Sequence, residues 1–122
     1  MMQPTNTQNA EHYVWGEICE GWHLVKREEI SIIQERVPPG AAEVKRLHHH
    51  ARQFFFILAG QATIEVGNAV FVLRQHEGLE VAPLVPHQFR NEADTDVIFL
   101  VISVPPSHGD RETVAPSVSL TS

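Results

Sequence analysis

Between residues 22 and 104 the chain alternates short stretches of β-branched and aromatic residues with clusters of turn-forming residues, the spacing of an all-β sandwich or barrel. The apolar stretches fall at 22–25, 30–37, 41–48, 54–58, 62–66, 69–73, 79–81, 87–90 and 97–104. They are separated by Pro38-Pro39-Gly40, Gly60-Gln61, Gly67-Asn68, His76-Glu77-Gly78, 83–86 and 92–96. No apolar stripe of helical period and no internal repeat interrupts this pattern. Gly67-Asn68, between Ile64-Glu65-Val66 and Ala69-Val70-Phe71, is predicted to form a two-residue hairpin turn, a conformation that requires positive φ. Two stretches, 54–58 and 97–102, are apolar without alternation, so both of their faces are expected to be covered. One face lines the barrel interior. The other calls for a second layer, either another copy of the chain in a homodimer or the N-terminal segment carrying Trp15 and Trp22.

The two ends carry neither period. The chain therefore divides into a flexible segment 1–14, one barrel domain 15–112 with its motif core at about 30–104, and a flexible tail 113–122. A length of 122 residues suits a single domain, and 43% hydrophobic with 20% charged residues is the balance of a folded globular protein. A formal net charge of −6 without a Lys/Arg stripe argues against nucleic acid and against anionic membrane surfaces. The apolar run 97–102 is too short to span a bilayer, and MMQPTNTQNAEH lacks the charged and apolar regions of a signal peptide. The lone Cys19 can form no internal disulfide, so a cytoplasmic protein is expected, with Cys19 a small packed residue.

The chemistry concentrates in VKRLHHHARQFFFILAG, residues 44–60, and VAPLVPHQFRN, residues 81–91. These resemble the two motifs of a single-domain cupin. In that family a glycine is followed by five residues, His-x-His, three or four residues, a glutamate, six residues and a glycine. Here Gly40, Arg46-Leu47-His48, Gln53 and Gly60 take those places without a gap, and His87 and Asn91 take the places of the histidine and asparagine closing the second motif. The resemblance implies a double-stranded β-helix or jelly-roll barrel with a divalent ion such as Zn, Fe, Ni, Mn or Co in its interior. EGW, PPG, ARQFF and VISVPPSHGDR further resemble a group of small bacterial-type cupins whose substrate is generally unassigned. The chain is also similar to cupins that open unsaturated uronate sugars, which likewise carry glutamine at this ligand place, although the register of Asp110 and Arg111 does not match theirs.

The departures change the expected chemistry. Arg46 stands where the family has its first metal-binding histidine, Gln53 stands for the glutamate, and Ala82 and Leu84 replace a proline and a glycine. In a strand, positions i and i+2 share a face, so Val44, Arg46 and His48 point one way and Lys45, Leu47 and His49 the other, while His50, where the family has a loop, either swings inward as a substitute ligand or sits in water. The candidate ligands are thus His48, His87, Gln53 and His50, with His49 solvated. Exchanging a histidine for Arg46 and a glutamate for Gln53 makes the pocket more positive by about two charges, so a metal ion would be held weakly or not at all and an organic anion attracted. Arg46 could equally leave the barrel and pair with Glu43 or Glu65. Phe55, Ile57, Phe89, Val101 and Ser103 are expected to line the cavity, with Arg46, Phe55 and Phe89 touching the substrate.

Two functions follow, beside a purely structural role that would need no pocket. In the first, a metal held by His48, His87, Gln53 and His50 polarises a small oxygenated substrate whose carboxylate Arg46 clamps, with His48 and His87 as acid–base groups for isomerase, lyase or dioxygenase chemistry. In the second, a metal-poor module binds a carboxylate or sugar acid through Arg46 without chemistry.

Overall fold

The computed structural model describes residues 2–107 and 109–115. The strands are β1 (Glu11–Trp15), β2 (Cys19–Lys26), β3 (Ser31–Val37), β4 (Arg46–His48), β5 (Arg52–Ala59), β6 (Ala62–Val66), β7 (Ala69–Leu73), β8 (Gly78–Val81), β9 (His87–Arg90), β10 (Val97–Val104) and β11 (Arg111–Thr113). They pair antiparallel into two sheets, ordered β1-β2-β3-β10-β5-β8 and β11-β4-β9-β6-β7, which give the all-β jelly-roll barrel expected from the turn spacing. No helix among the described residues is long and apolar enough to cross a membrane.

The period of two decides what lies inside. β10 buries Val97, Phe99, Val101 and Ser103 and leaves Ile98, Leu100 and Ile102 half-buried outside, while β5 buries Gln53, Phe55 and Ile57. Register aligns Ile32, Ile102 and Phe54 across the outer face of the larger sheet. β1 and β2 do not fold over that face, because they extend the same sheet at its edge. The Gly67-Asn68 hairpin forms as expected, with Gly67 at φ +57° and Val66 opposite Ala69.

Three boundaries differ from the sequence expectation. The segment assigned to a flexible 1–14 contributes β1 from Glu11 onward, because its backbone pairs with β2 and Tyr13 reaches Glu35. At the other end β11 forms on β4 and Val114 N–H donates to Lys45 C=O, so Thr113 and Val114 are not part of a loose tail, and residues 116–122 lie outside the described residues. The stretch 41–48 is a regular strand only over Arg46–His48. Before it, Ala42 makes an isolated bridge to Arg90, and Val44 is exposed and does not share the inward face of Arg46 and His48.

One end of the barrel is sealed. Phe89 and Phe99 stack at 3.9 Å between centroids, Phe55 packs on both, and Ile57, Ile64, Val37 and Val97 are fully buried around them. Cys19 belongs to this cluster, where burial pushes its thiol up and leaves it unreactive. Asn91 ties the sheets together beside it: its side-chain amide donates to Val37 C=O and Thr95 C=O at 2.8 Å, and its Oδ1 accepts from Ala93 N–H at 2.9 Å. Gly60, at φ +82°, lets the β5–β6 turn pass the Asp96 carbonyl, which any Cβ would strike.

Candidate functional site

Above the phenylalanine stack the two sheets enclose a cavity of about 1070 Å³. Its deep wall is formed by Phe55 and Val101 together with the polar side chains of Glu35, His48, Gln53 and His87, and charged residues such as Lys26, Arg27 and Glu28 lie at its exposed rim.

The five-stranded sheet brings the two histidines together. β9 begins at His87 after a turn in which Leu84 takes φ +70° and donates its N–H to His48 C=O at 2.7 Å, locking the turn to β4. The ring Nδ1 of His87 lies 3.0 Å from Val85 C=O. A carbonyl only accepts, so the ring proton sits on Nδ1 and the Nε2 lone pair is free. His48 lies beside it with ring centroids 5.6 Å apart. Burial, the neighbouring His87 and the Arg46 guanidinium push His48 down to about 4, and burial likewise lowers His87, so both rings are neutral at neutral pH.

Gln53 enters from β5 and donates its amide N–H to Ser103 Oγ at 3.0 Å, which leaves Oε1 buried and without a protein partner among the described residues. His48 Nδ1, Trp15 Nε1 and Glu35 Oε1 are buried in the same way, and all four residues line the cavity. Such groups cost roughly 1–3 kcal/mol each when nothing meets them. Arg46 also lines the cavity, with its guanidinium 4.0 Å from Glu43. Glu43, expected as a partner outside the barrel, itself lines the cavity, so its nearness does not take Arg46 out of it.

The other candidates separate. His49 is exposed and paired with Glu112 at 3.0 Å, as its strand face requires. His50 is exposed too and does not reach the site: the Asp110 carboxylate accepts the backbone N–H groups of His50 and Ala51 at 2.9 Å, fixing a turn that leaves the imidazole outside. Phe55, Val101 and Ser103 line the cavity as expected. Phe89 and Ile57 do not, because both are consumed by the packed end beneath it.

The sequence reading placed Glu43 outside the barrel and gave Tyr13, Glu35 and Arg111 no place in the site, yet all four line the cavity. Glu35 left a signal, since Ser31, Ile33, Glu35 and Val37 are the buried or inner positions of one strand face, and an acid between Ile33 and Val37 has to be accounted for. Arg111 lies on a strand whose partner β4 is far along the chain, and Tyr13, on a strand paired locally with β2, reaches the site through Glu35 on β3.

The residues present do not make a divalent-metal site. Among the described residues no group of three or more His, Cys, Asp or Glu side chains is arranged to hold an ion. Two imidazoles and one amide oxygen fall short of the ligand number and anionic charge of a strong site, and Arg46 adds a fixed positive charge close enough to depress both histidines.

Comparison with known proteins agrees with the fold. The cupin domain family matches residues 33–103, more than half of the chain. The Streptomyces cyaneus protein named polyketide synthase CurC is 27% identical over 85 residues, a match covering 66% of this chain and 55% of that one, so the chain spans about half the length of this curated relative. The structure of KdgF from Halomonas sp. superposes with a TM-score of 0.79 at 9% identity, covering 87% of this chain and 96% of that one. An RmlC-like cupin from Shewanella frigidimarina superposes with a TM-score of 0.78 at 17% identity, covering 89% and 96%. At such identities the likeness establishes the fold alone.

Proposed function

The chain belongs to the cupin domain family, and from that premise we propose that its barrel takes a small oxygenated organic anion, anchored by its carboxylate on Arg46, and exchanges protons with it through His48 and His87 without relying on a metal. The observation that carries this reading is that Arg46 lines the cavity beside two buried, neutral imidazoles instead of leaving the barrel. A guanidinium offers a planar fork of donors to a carboxylate, and a neutral imidazole with a free Nε2 offers a base. Gln53 Oε1 and the free imidazole nitrogens supply acceptors for hydroxyl groups of the same molecule. The relative named as a polyketide synthase adds support for an oxygenated carbon-chain substrate.

The depressed basicity of His48 favours a second reading, in which the same pocket binds the anion and performs no chemistry. A panel of carboxylates, oxo acids and sugar acids, followed by melting temperature, tests both. Binding is expected to raise the melting temperature of the wild-type protein, and Arg46→Ala is expected to weaken it about tenfold or more. Deuterium uptake from D2O at the carbon beside a carbonyl of a bound compound separates the enzyme from the binding module. Unchanged affinity in Arg46→Ala would remove the anchor and the reading with it.

A further inference from the structure

Across the cavity from the imidazoles stands an acid with a built mount. His48 and His87 project from the five-stranded sheet, whereas Glu35 projects from β3 in the six-stranded one. Register puts Tyr13, Gly21, Glu35 and Phe99 in one row across β1, β2, β3 and β10. Gly21 leaves room for the tyrosine ring, since a Cβ there would collide with it. Tyr13 therefore lies across Gly21 and donates its hydroxyl to Glu35 Oε2 at 2.8 Å. The other carboxyl oxygen, Oε1, is buried without a protein partner among the described residues, on a residue only 6% exposed that lines the cavity.

The surroundings keep the carboxyl protonated. Desolvation first and the neighbouring Glu43 second push Glu35 up to about 8, against the opposing pull of the Tyr13 hydroxyl, Arg46 and Arg111. Burial and Glu35 raise the Tyr13 phenol well above its ordinary value, so it remains a donor. With Oε2 accepting from Tyr13, the carboxyl proton belongs on Oε1, the oxygen left without a partner among the described residues.

We propose that Glu35, held by Tyr13, is the proton donor of this pocket, and that the substrate class is an oxo acid whose carbonyl oxygen meets Glu35 Oε1 while its carboxylate meets Arg46. This rests on the anion-anchoring and imidazole roles given above. In the step, the proton on the carbon beside the carbonyl moves to His87 Nε2, and the C–H electron pair becomes the carbon–carbon double bond. The carbonyl π pair takes the proton from Glu35 Oε1. An enol, an imidazolium and a carboxylate result; in the reverse step the imidazolium returns a proton to the same carbon and the enol hydroxyl returns its proton to Glu35 Oε1, which restores both side chains, so no oxidant or reductant enters.

Pyruvate is the probe. Infrared difference spectra of wild type against Glu35→Gln at neutral pH should show a protonated carboxyl band that is lost in the variant and shifts when pyruvate is added. Tyr13→Phe should shift the same band, which keeps the test open if Glu35→Gln folds poorly. Glu35→Gln should retain pyruvate affinity, because its amide still donates from the Oε1 position, yet lower deuterium uptake into the pyruvate methyl group by about 10²-fold or more. Absence of the Glu35 band, or exchange that survives Glu35→Gln, overturns the donor role and leaves the Arg46 anchor standing. Pyruvate binding that ignores Arg46→Ala, or no binding at all, overturns the anchor and the donor together.

Discussion

β5 supplies Gln53 to the cavity and Ile57 to the sealed end, β9 supplies His87 and Phe89, β10 supplies Ser103 and Phe99, and β3 supplies Glu35 and Val37. Moving two or four residues along one face of a strand thus crosses from a polar recess to a packed core. At the sealed end the aromatic stack and its aliphatic surround satisfy one another by contact. At the cavity end buried polar atoms of Glu35, His48 and Gln53 meet no partner among the described residues. The difference teaches that stability and recognition are divided along the barrel axis, the first carried by packing and the second by polar groups whose burial works against folding.

The largest expected effect lies at the sealed end. Phe99→Ala should cost about 3–5 kcal/mol in chemical denaturation, since it removes a fully buried ring stacked on Phe89. A cost below about 1 kcal/mol would break the division, because packing would then not be what holds this end.

The next effect is a change in the shape of the pH–stability curve, softened by water entering the cavity. Glu35 is raised from 4.5 to about 8, so its contribution is full below the lower value and is lost as pH rises through the upper one. His48 is lowered from 6.5 to about 4, so its contribution is full above the upper value and is lost as pH falls through the lower one. Melting temperature should therefore decline on both flanks, and Glu35→Gln should flatten the alkaline one. Ile64→Ala, at the sealed end and away from the Glu35 row, should lower the whole curve without altering its shape. A sealed-end substitution that reshaped the curve would show the two ends to be coupled.

The smallest effect sharpens the polar end itself. Arg46→His should raise zinc affinity about tenfold, or about 1.4 kcal/mol, by adding a ligand and removing a repelling charge, as read by calorimetric titration. His49→Ala should leave zinc affinity unchanged, since that ring is exposed and paired with Glu112. Tight stoichiometric zinc in the wild-type protein that survives His48→Ala would place the ligands elsewhere.

Strand period and turn chemistry made most of this barrel legible, because inward and outward faces are local properties: Phe55, His48 and Gln53 all point where alternation predicts. What stayed hidden depends on partners distant in sequence. β11 is a short polar strand that forms by pairing with the remote β4 and carries Arg111 into the site, and Tyr13, on the local β1–β2 hairpin, enters it only through Glu35 on β3. His50 failed for the same kind of reason, since the Asp110 carboxylate that turns its backbone away lies 60 residues later. Phe89 was rightly expected inside the barrel, but depth along the axis, which decides between lining a cavity and sealing it, has no signature in a single strand.

The phenylalanine plug has a kinetic consequence. With Phe89 and Phe99 closing one end, the described residues leave the cavity no through-passage at its base, and a molecule that enters past Lys26, Arg27 and Glu28 leaves on the side from which it came. Arrival and departure are then mutually exclusive events: a second molecule cannot push the first out from behind, and residence time is set by how fast the first occupant backs out. A compound lodged in the doorway would arrest traffic in both directions without ever touching the imidazoles.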